Sequence, residues 1–263
     1  MLGLGSSLSH ICEKEQLYSI TYDGTGDYIA LPAAIGRTTG SMSIWYKTSE
    51  TGNQVLIGAG DKDDGTNRWS ILLGNALTSS YTDEVMELNI TIDNVRIIQA
   101  TYRSATATLF RDGNWHHMVL TMSGSANLMY VDGTVLASGS GQEKLNYQQG
   151  ATSTGNVLLT TSGLDSIGIG RRFFPTSPLN FTGNTTEFAM WESVLDADAV
   201  TAIYNSGKPF DLTNNRGNYD VAADLLYYYR MNDGSGTTVV DSKADQDGTL
   251  SADATFSANT PDD

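Results

Sequence analysis

Residues 112–133 read DGNWHHMVLTMSGSANLMYVDG, and the fold class turns on them. Two adjacent histidines behind a tryptophan suggest at first a metal-binding or catalytic pair. Successive side chains of a strand point to opposite faces, so His116 and His117 look away from each other and cannot share one ligand atom. The stretch is instead architectural. Trp115, His117, Val119 and Thr121 fall on one face and His116, Met118 and Leu120 on the other, the pattern of a strand covered on both sides. SGSAN then interrupts the run, LMYV resumes it, and Asp132-Gly133 forms a two-residue turn before Thr134, since both residue types tolerate positive φ. A covered strand followed by a tight hairpin predicts a β-sandwich in which both histidines are structural.

Working outward, short β-type runs recur: QLYSITY (16–22), DYIAL (27–31), SMSIWYK (41–47), NQVLIGA (53–59), RWSILLG (68–74), EVMELNITI (84–92), VRIIQATY (95–102), SIGIG (166–170), TEFAMWE (186–192) and LLYYYRM (225–231). Turn residues separate them, with Asp-Gly at 23, 64, 112, 132, 233 and 247. Many short strands between such turns predict an all-β, two-sheet antiparallel jelly-roll sandwich. The glycine- and serine-rich stretch 139–156 is expected as a surface loop, because strand-like sequence resumes beyond it without a shift in composition. One segment reads as a short helix over 197–206. In LDADAVTAIYNSG, Asp196 caps it, Asp198 favours the dipole, Val200, Ile203 and Tyr204 share a face, and Gly207 ends it. The expected layout is an N-terminal arm at 1–15 and one jelly-roll domain at 16–263, the C-terminal strand segment included.

Composition narrows the partners. The 263-residue chain carries 30 acidic and 15 basic residues, a formal charge of -15, and that field repels nucleic-acid phosphates and anionic lipid. The same acidity keeps a β-rich surface soluble and makes oxygen-rich cation clusters easy to assemble. Cys12 is the lone cysteine, which excludes an intrachain disulfide and a thiolate zinc cluster. His10, His116 and His117 are the whole histidine complement and no G-x-S-x-G elbow occurs, so a hydrolytic triad is not expected. The start, MLGLGSSLSHICEKEQ, lacks a basic region followed by a long apolar run, and no run of about 20 apolar residues occurs elsewhere. Neither an export signal nor membrane insertion is expected.

YDGTGDYIAL, SMSIWYK, DGNWHHMVLT, LMYVDGTVL, IGIGRR and EFAMWESVLDADAVTAIYNSG, in this order over nearly residues 16–256, resemble the laminin-G-like, concanavalin A-like jelly-roll family. The strand-then-helix end of the last motif is the most specific piece. The tail from Leu225 resembles a segment that more often opens such a domain, and here it closes the chain. The resemblance implies a two-sheet sandwich that binds glycans or protein surfaces, sometimes with calcium, and usually without catalysis.

Glucanases share that sandwich and place two carboxylates on one strand face, about 5 Å apart in retaining enzymes and about 6.5–9.5 Å in inverting ones. In TDEVMELNI, Asp83 and Glu87 share a face but lie roughly 13 Å apart at about 3.3 Å per residue, and Glu84 points the other way. Catalysis is therefore not expected. The loop DKDDGTN (61–67) lacks the downstream bidentate glutamate of an EF-hand. The resembling family holds calcium with loop oxygens at a rim or with residues joining the chain ends, which makes Asp23, Asp27 and Glu187 the metal candidates here. The plainer alternative is turn-forming aspartates and an exposed glutamate. For a sugar, Trp and Tyr supply stacking faces and hydrogen bonds at their rims. Trp45, Trp115 and Trp191 lie in apolar runs and are expected in the core; Trp69, beside Arg68 and just after the polar loop, is the expected surface platform, with Tyr81 and Tyr147 behind it.

Two classes of function remain. The first is a non-catalytic, lectin-like recognition and assembly module, resembling the fibre, decoration or adhesion components of tailed bacteriophages. Such a protein is assembled in the host cytoplasm and displayed on the virion, or otherwise on an extracellular surface. It would act as a homo-oligomer among other virion or surface proteins, with a cell-surface glycan as ligand, and its arm would bury Leu2, Leu4, Leu8 and Ile11 on a neighbour. The second class is a carbohydrate-active enzyme or its sugar-binding accessory module, which a facing pair of carboxylates would mark.

Overall fold

Alternation of inward and outward residues runs through every long strand of the computed structural model. The structure describes residues 16–32, 39–61, 63, 65–74, 84–104, 109–123, 127–140, 142–148, 164–173, 179–251 and 253–261. The arm expected at 1–15, with Cys12, lies outside those residues. The first strands are β1 (Ser19–Asp23), β2 (Ile29–Leu31), β3 (Gly40–Lys47), β4 (Gln54–Gly60), β5 (Arg68–Gly74), β6 (Glu84–Ile92), β7 (Val95–Ser104), β8 (Trp115–Met122) and β9 (Asn127–Val131). They are followed by β10 (Thr134–Val135), β11 (Lys144–Gln148), β12 (Ser166–Ile169), β13 (Thr182–Trp191), helix α1 (Ala197–Tyr204), β14 (Leu225–Tyr229), β15 (Thr238–Val239), β16 (Gly248–Leu250) and β17 (Thr255–Ser257).

Two sheets result. The eight-stranded sheet runs β10-β9-β8-β3-β13-β1-β17, with β14 also paired to β13, and the nine-stranded sheet runs β11-β7-β6-β5-β4-β12-β2-β16-β15. Every second residue of each strand points between them. Ile20, Met42, Ile44, Tyr46, Met118 and Leu120 of the first sheet share one apolar cluster with Leu56, Trp69, Ile71, Leu88, Ile90 and Ile98 of the second. Burying each such side chain stabilises the fold by about 1.5–3 kcal/mol. A second apolar layer covers the outside of the eight-stranded sheet, where Val119, Tyr130, Ala189 and Trp191 meet Ala199, Val200 and Ile203 of α1 and Phe210 and Tyr219 beyond it. The double cover expected for β8 is thus present.

The two histidines separate as strand geometry requires. His116 sits between two turn aspartates, Nδ1 at 2.8 Å from Asp132 and Nε2 at 3.1 Å from Asp112. Burial alone would lower its pKa, but the two carboxylates outweigh burial and raise it. His117 stacks on Trp45 at 4.8 Å between ring centres, and full burial pushes its pKa down to about 3. Each histidine is thus held by its own neighbours on its own face of β8.

Four details differ from the sequence reading. The stretch 139–156 contains a strand, β11, paired with β7. Asn205, in the left-handed conformation at φ 46°, ends α1 in place of Gly207, while Asp196 caps the start as expected by accepting from Ala199 N at 2.8 Å. Trp115 is only half-buried, and its Nε1 donates to Asn259 Oδ1 at 3.3 Å. The C-terminal tail serves both sheets, giving β14 and β17 to one and β15 and β16 to the other.

Midway along β13 the neighbour changes. Thr182 to Thr185 pair with β1, whereas Phe188 to Trp191 pair with β14. The register against β3 slips between Thr186 and Ala189, and Glu187 adopts φ 52° at that bulge.

The Asp132-Gly133 turn yields a direct test. Both residues have positive φ, at 51° and 74°, and a Cβ on Gly133 would lie 3.1 Å from the Tyr204 ring. Gly133→Val should therefore lower the melting temperature, with a loss of roughly 1–3 kcal/mol. An unchanged melting temperature would show that the turn is not so constrained.

Candidate functional site

On the nine-stranded sheet, the residues that alternate with the core set face outward, and the register arranges them in rows. One row holds Ala30, Gly168, Gly58, Ser70, Asn89 and Gln99 on neighbouring strands. On one side of it lie Leu72, Glu87, Thr101 and Asn146, and on the other Gly60, Arg68, Thr91 and Arg96. The register slips between Ile90 and Thr91, and this bulge turns Arg96 outward although it shares the parity of core Ile98.

Glu87 is the centre of this face. Its carboxylate is 1% exposed and accepts from Asn89 Nδ2 at 3.0 Å, Gln99 Nε2 at 3.0 Å and Thr101 Oγ1 at 3.3 Å. Arg96 Nη1 donates to Gln99 Oε1 at 2.8 Å, and Thr91 Oγ1 to Asn89 Oδ1 at 3.4 Å. A hydrogen-bonded array of amides, hydroxyls and a carboxylate fixes the donor and acceptor directions of its members. Asn89, Gln99 and Thr101 are buried like Glu87, at 7%, 2% and 0% exposed.

Glycine shapes the neighbouring strands. Gly58 and Gly60 let the segment 171–173 cross the sheet: a Cβ on Gly58 would stand 2.9 Å from the Arg171 carbonyl oxygen, and one on Gly60 would collide with that of Phe173. The crossing segment brings Phe173 edge-on to Tyr28, 5.7 Å between ring centres, with the Arg171 guanidinium 5.0 Å from the Tyr28 ring centre. Both rings are half-exposed, so they offer an aromatic surface beside the polar array. From the Tyr28 strand to β6 the face spans four strand spacings, roughly 19 Å at about 4.8 Å each. That is the scale of an oligosaccharide.

The expected sugar residues divide accordingly. Arg68 lies on this face, half-buried, its Nη1 donating to Gly65 O at 2.6 Å. Trp69 is a correction: at 1% exposure it belongs to the core between the sheets and cannot be a surface platform, because adjacent strand residues face opposite ways. Tyr81 lies outside the described residues. Tyr147 is placed by its backbone opposite core Ala100, and its side chain lies outside the described set. Tyr28 and Phe173 escaped the sequence reading; the only signal was Tyr28 alternating with core Ile29.

The metal candidates do not assemble. Glu187 is 1% exposed, accepts from Arg230 Nε at 3.0 Å and from the Tyr228 hydroxyl, and is therefore neither a calcium ligand nor an exposed glutamate. Burial lifts its pKa to about 7, only partly offset by Arg230 and Tyr228. Asp23 and Asp27 do meet, as turn formers: Asp23 N donates to Asp27 Oδ2 and Thr25 N to Asp23 Oδ1, each at 2.6 Å. Among the described residues, the acidic group with ligand atoms within 4.8 Å of one another is Asp61, Asp63 and Asp165. Their oxygens are of the type a hard cation such as calcium takes. DKDDGTN supplies two of them, and Asp165 joins only because Ser166 pairs with Gly60.

Comparison with known proteins bears on this geometry. A family profile described as the concanavalin A-like lectin/glucanases superfamily matches residues 23–201. No curated protein matches the sequence. Among solved structures, a candidate carbohydrate-binding protein from Bacteroides ovatus ATCC 8483 is similar at 16% identity and TM-score 0.57, over 92% of this chain. This chain spans 59% of that protein's length. The CBM40 of the Ruminococcus gnavus IT-sialidase, bound to α2,3-sialyllactose, is similar at 14% identity and TM-score 0.50, covering 72% of this chain and 99% of that one. A leech intramolecular trans-sialidase is similar at 13% identity and TM-score 0.51, covering 78% of this chain and 30% of that one. At these identities the likeness is one of fold.

The buried pair at Glu187 generates its own test. Arg230→Met strands the Glu187 carboxylate and should destabilise by about 3–5 kcal/mol. Because the pKa of Glu187 rises from the ordinary 4.5 to about 7 on folding, the folded state binds the extra proton. The stabilisation is full below the unfolded value and is lost as pH rises through 7. Relative to Glu187→Gln, the wild-type melting temperature should fall between pH 4.5 and 8; parallel profiles would contradict the assignment.

Proposed function

Because the chain belongs to the concanavalin A-like lectin/glucanases superfamily, we propose that it is a glycan-binding module that receives an oligosaccharide across the outer face of its nine-stranded sheet. The observation that carries this reading is the half-exposed aromatic pair Tyr28 and Phe173 on the outward side of that sheet, beside an ordered polar array around Glu87 that is itself buried. Tyr28 and Phe173 supply the stacking surface that apolar sugar faces prefer.

Binding without catalysis is the corresponding reading of the chemistry. At the alternate positions of β6, where a glycosidase would set two carboxylates, this strand has Glu87 and then Asn89. The Glu87 oxygens are already engaged by neutral donors of the same face. The virion-surface role expected from the sequence gains no support from the fold, and the sugar-binding neighbours favour the module.

The experiment is a glycan array probed with the full chain, followed by calorimetry on the best binder. Gln99→Ala removes an internal donor to Glu87, so it should lower the melting temperature and weaken binding through the loosened array. Phe173→Ala should weaken it several-fold by removing stacking area. Incubation with the same glycan should release no new reducing ends. Retention of full affinity in both variants would place the site elsewhere, and glycan cleavage would restore the enzyme reading.

A further inference from the structure

Around His116 the geometry alone fixes the number of protons. At the start of β8, each ring nitrogen faces a carboxylate oxygen: Nδ1 lies 2.8 Å from Asp132 Oδ2 and Nε2 lies 3.1 Å from Asp112 Oδ1. An ionised carboxylate only accepts, so both nitrogens must donate, and a histidine with two N–H groups is the imidazolium cation. The side chain is 10% exposed, and shielding from water strengthens both contacts.

The two aspartates belong to different turns. Asp112 shapes the turn that leads into β8, its Oδ1 accepting from Asn114 N and its Oδ2 from Asn114 Nδ2, each at 2.8 Å. Gly113 N ties the same turn to the chain beyond β3 by donating to Thr48 O at 3.0 Å. Asp132 opens the β9–β10 hairpin turn, and its Oδ1 accepts from His117 N at 2.8 Å. The remaining neighbours do not replace these charges. Tyr46 of β3 lies tilted against the ring, 5.8 Å between centres, His117 looks to the other face of β8, and Arg111 sends Nη1 to the carbonyls of Glu50, Thr51 and Gly52.

We infer that His116 is a proton-operated clasp: as the cation it holds the 112–114 turn to the β9–β10 hairpin, and loss of its proton releases that turn. A neutral ring has one N–H to give. It stays on Nδ1, because Asp132 Oδ2 is the nearer oxygen and its carboxylate is anchored by the His117 amide. Nε2 then turns a lone pair toward Asp112, which is left with its local bonds to Asn114. Burial opposes the cation, but Asp132 and Asp112 outweigh it and hold the proton above the ordinary 6.5, so the clasp is closed in acid and opens as pH rises.

NMR on the 15N-labelled full chain, with His116→Gln to assign the ring signals, follows both nitrogens between about pH 5 and 9. Both should be protonated below the midpoint, the midpoint should lie above 6.5, and the neutral ring should keep its proton on Nδ1. Across the midpoint the exchange protection of the Gly113 amide should fall about tenfold, the size of one charge-assisted hydrogen bond. Asp112→Asn should move the midpoint down. The melting-temperature advantage of the wild type over His116→Gln should be full below pH 6.5 and shrink as pH rises through the folded midpoint, since the folded state binds the extra proton. Glu187 and His117 titrate alike in both proteins and cancel. If His116→Gln does not fold, the wild type against Asp112→Asn decides by the same trend. A midpoint at or below 6.5, a singly protonated ring below it, Gly113 protection unchanged across it, or parallel melting profiles overturns the clasp.

Discussion

A carboxylate and a guanidinium, both withdrawn from water, join β13 to the residue that follows β14. Glu187 accepts from Arg230, and beside it Gln16 Nε2 donates to Thr186 Oγ1 at 2.7 Å and to the Arg230 carbonyl at 2.8 Å. Isolated charges in such a place would be destabilising by several kcal/mol each, so the fold depends on their meeting. Any other register of β14 on β13 would leave Glu187 without its partner, which makes this pair a device for selecting one pairing among several. The bulge at Glu187 serves the same end, because it is where β13 leaves β1 and takes up β14.

With the central strand fixed, the two sheets acquire different outer faces. The eight-stranded sheet spends its outside on a second apolar layer beneath α1 and the segment around Phe210 and Tyr219. The nine-stranded sheet has hydrogen-bonded polar residues there instead, with an aromatic pair near β2 and arginines at one end. One face is therefore covered by the protein's own helix, and the other carries a buried polar array with Tyr28 and Phe173 half-exposed beside it.

What the sequence disclosed follows from how far each signal reaches. A strand imprints its period on five to ten consecutive residues, so β3, β8 and the hairpin after β8 were legible, as was the aspartate cap of α1. The family resemblance followed from the same local motifs. β11 was hidden because KLNYQ is an edge strand with little apolar content, and β15 and β17 because two or three residues carry no period. Trp69 was misplaced by its polar neighbours, although the alternation that parts His116 from His117 also parts Trp69 from Arg68. Glu187 was read as a metal ligand or else as an exposed glutamate because its partner Arg230 lies far along the chain, and Asp165 and Phe173 reach their places only through the pairing of β12 with β4. Contacts made by register leave no local trace.

Ser19 pairs with Ser257 across β1 and β17, and the Ser19 hydroxyl donates to the Asn259 carbonyl at 2.7 Å, so the first and last described strands run side by side at one sheet edge. Entry and exit through one doorway make the unit easy to plug into another polypeptide: a host loop can receive it without its own two stems being forced apart. The same closeness makes the topology nearly circular. A short peptide bridge from β17 to β1, with new termini opened in an exposed turn elsewhere, preserves every strand neighbour and the direction in which the polar face looks.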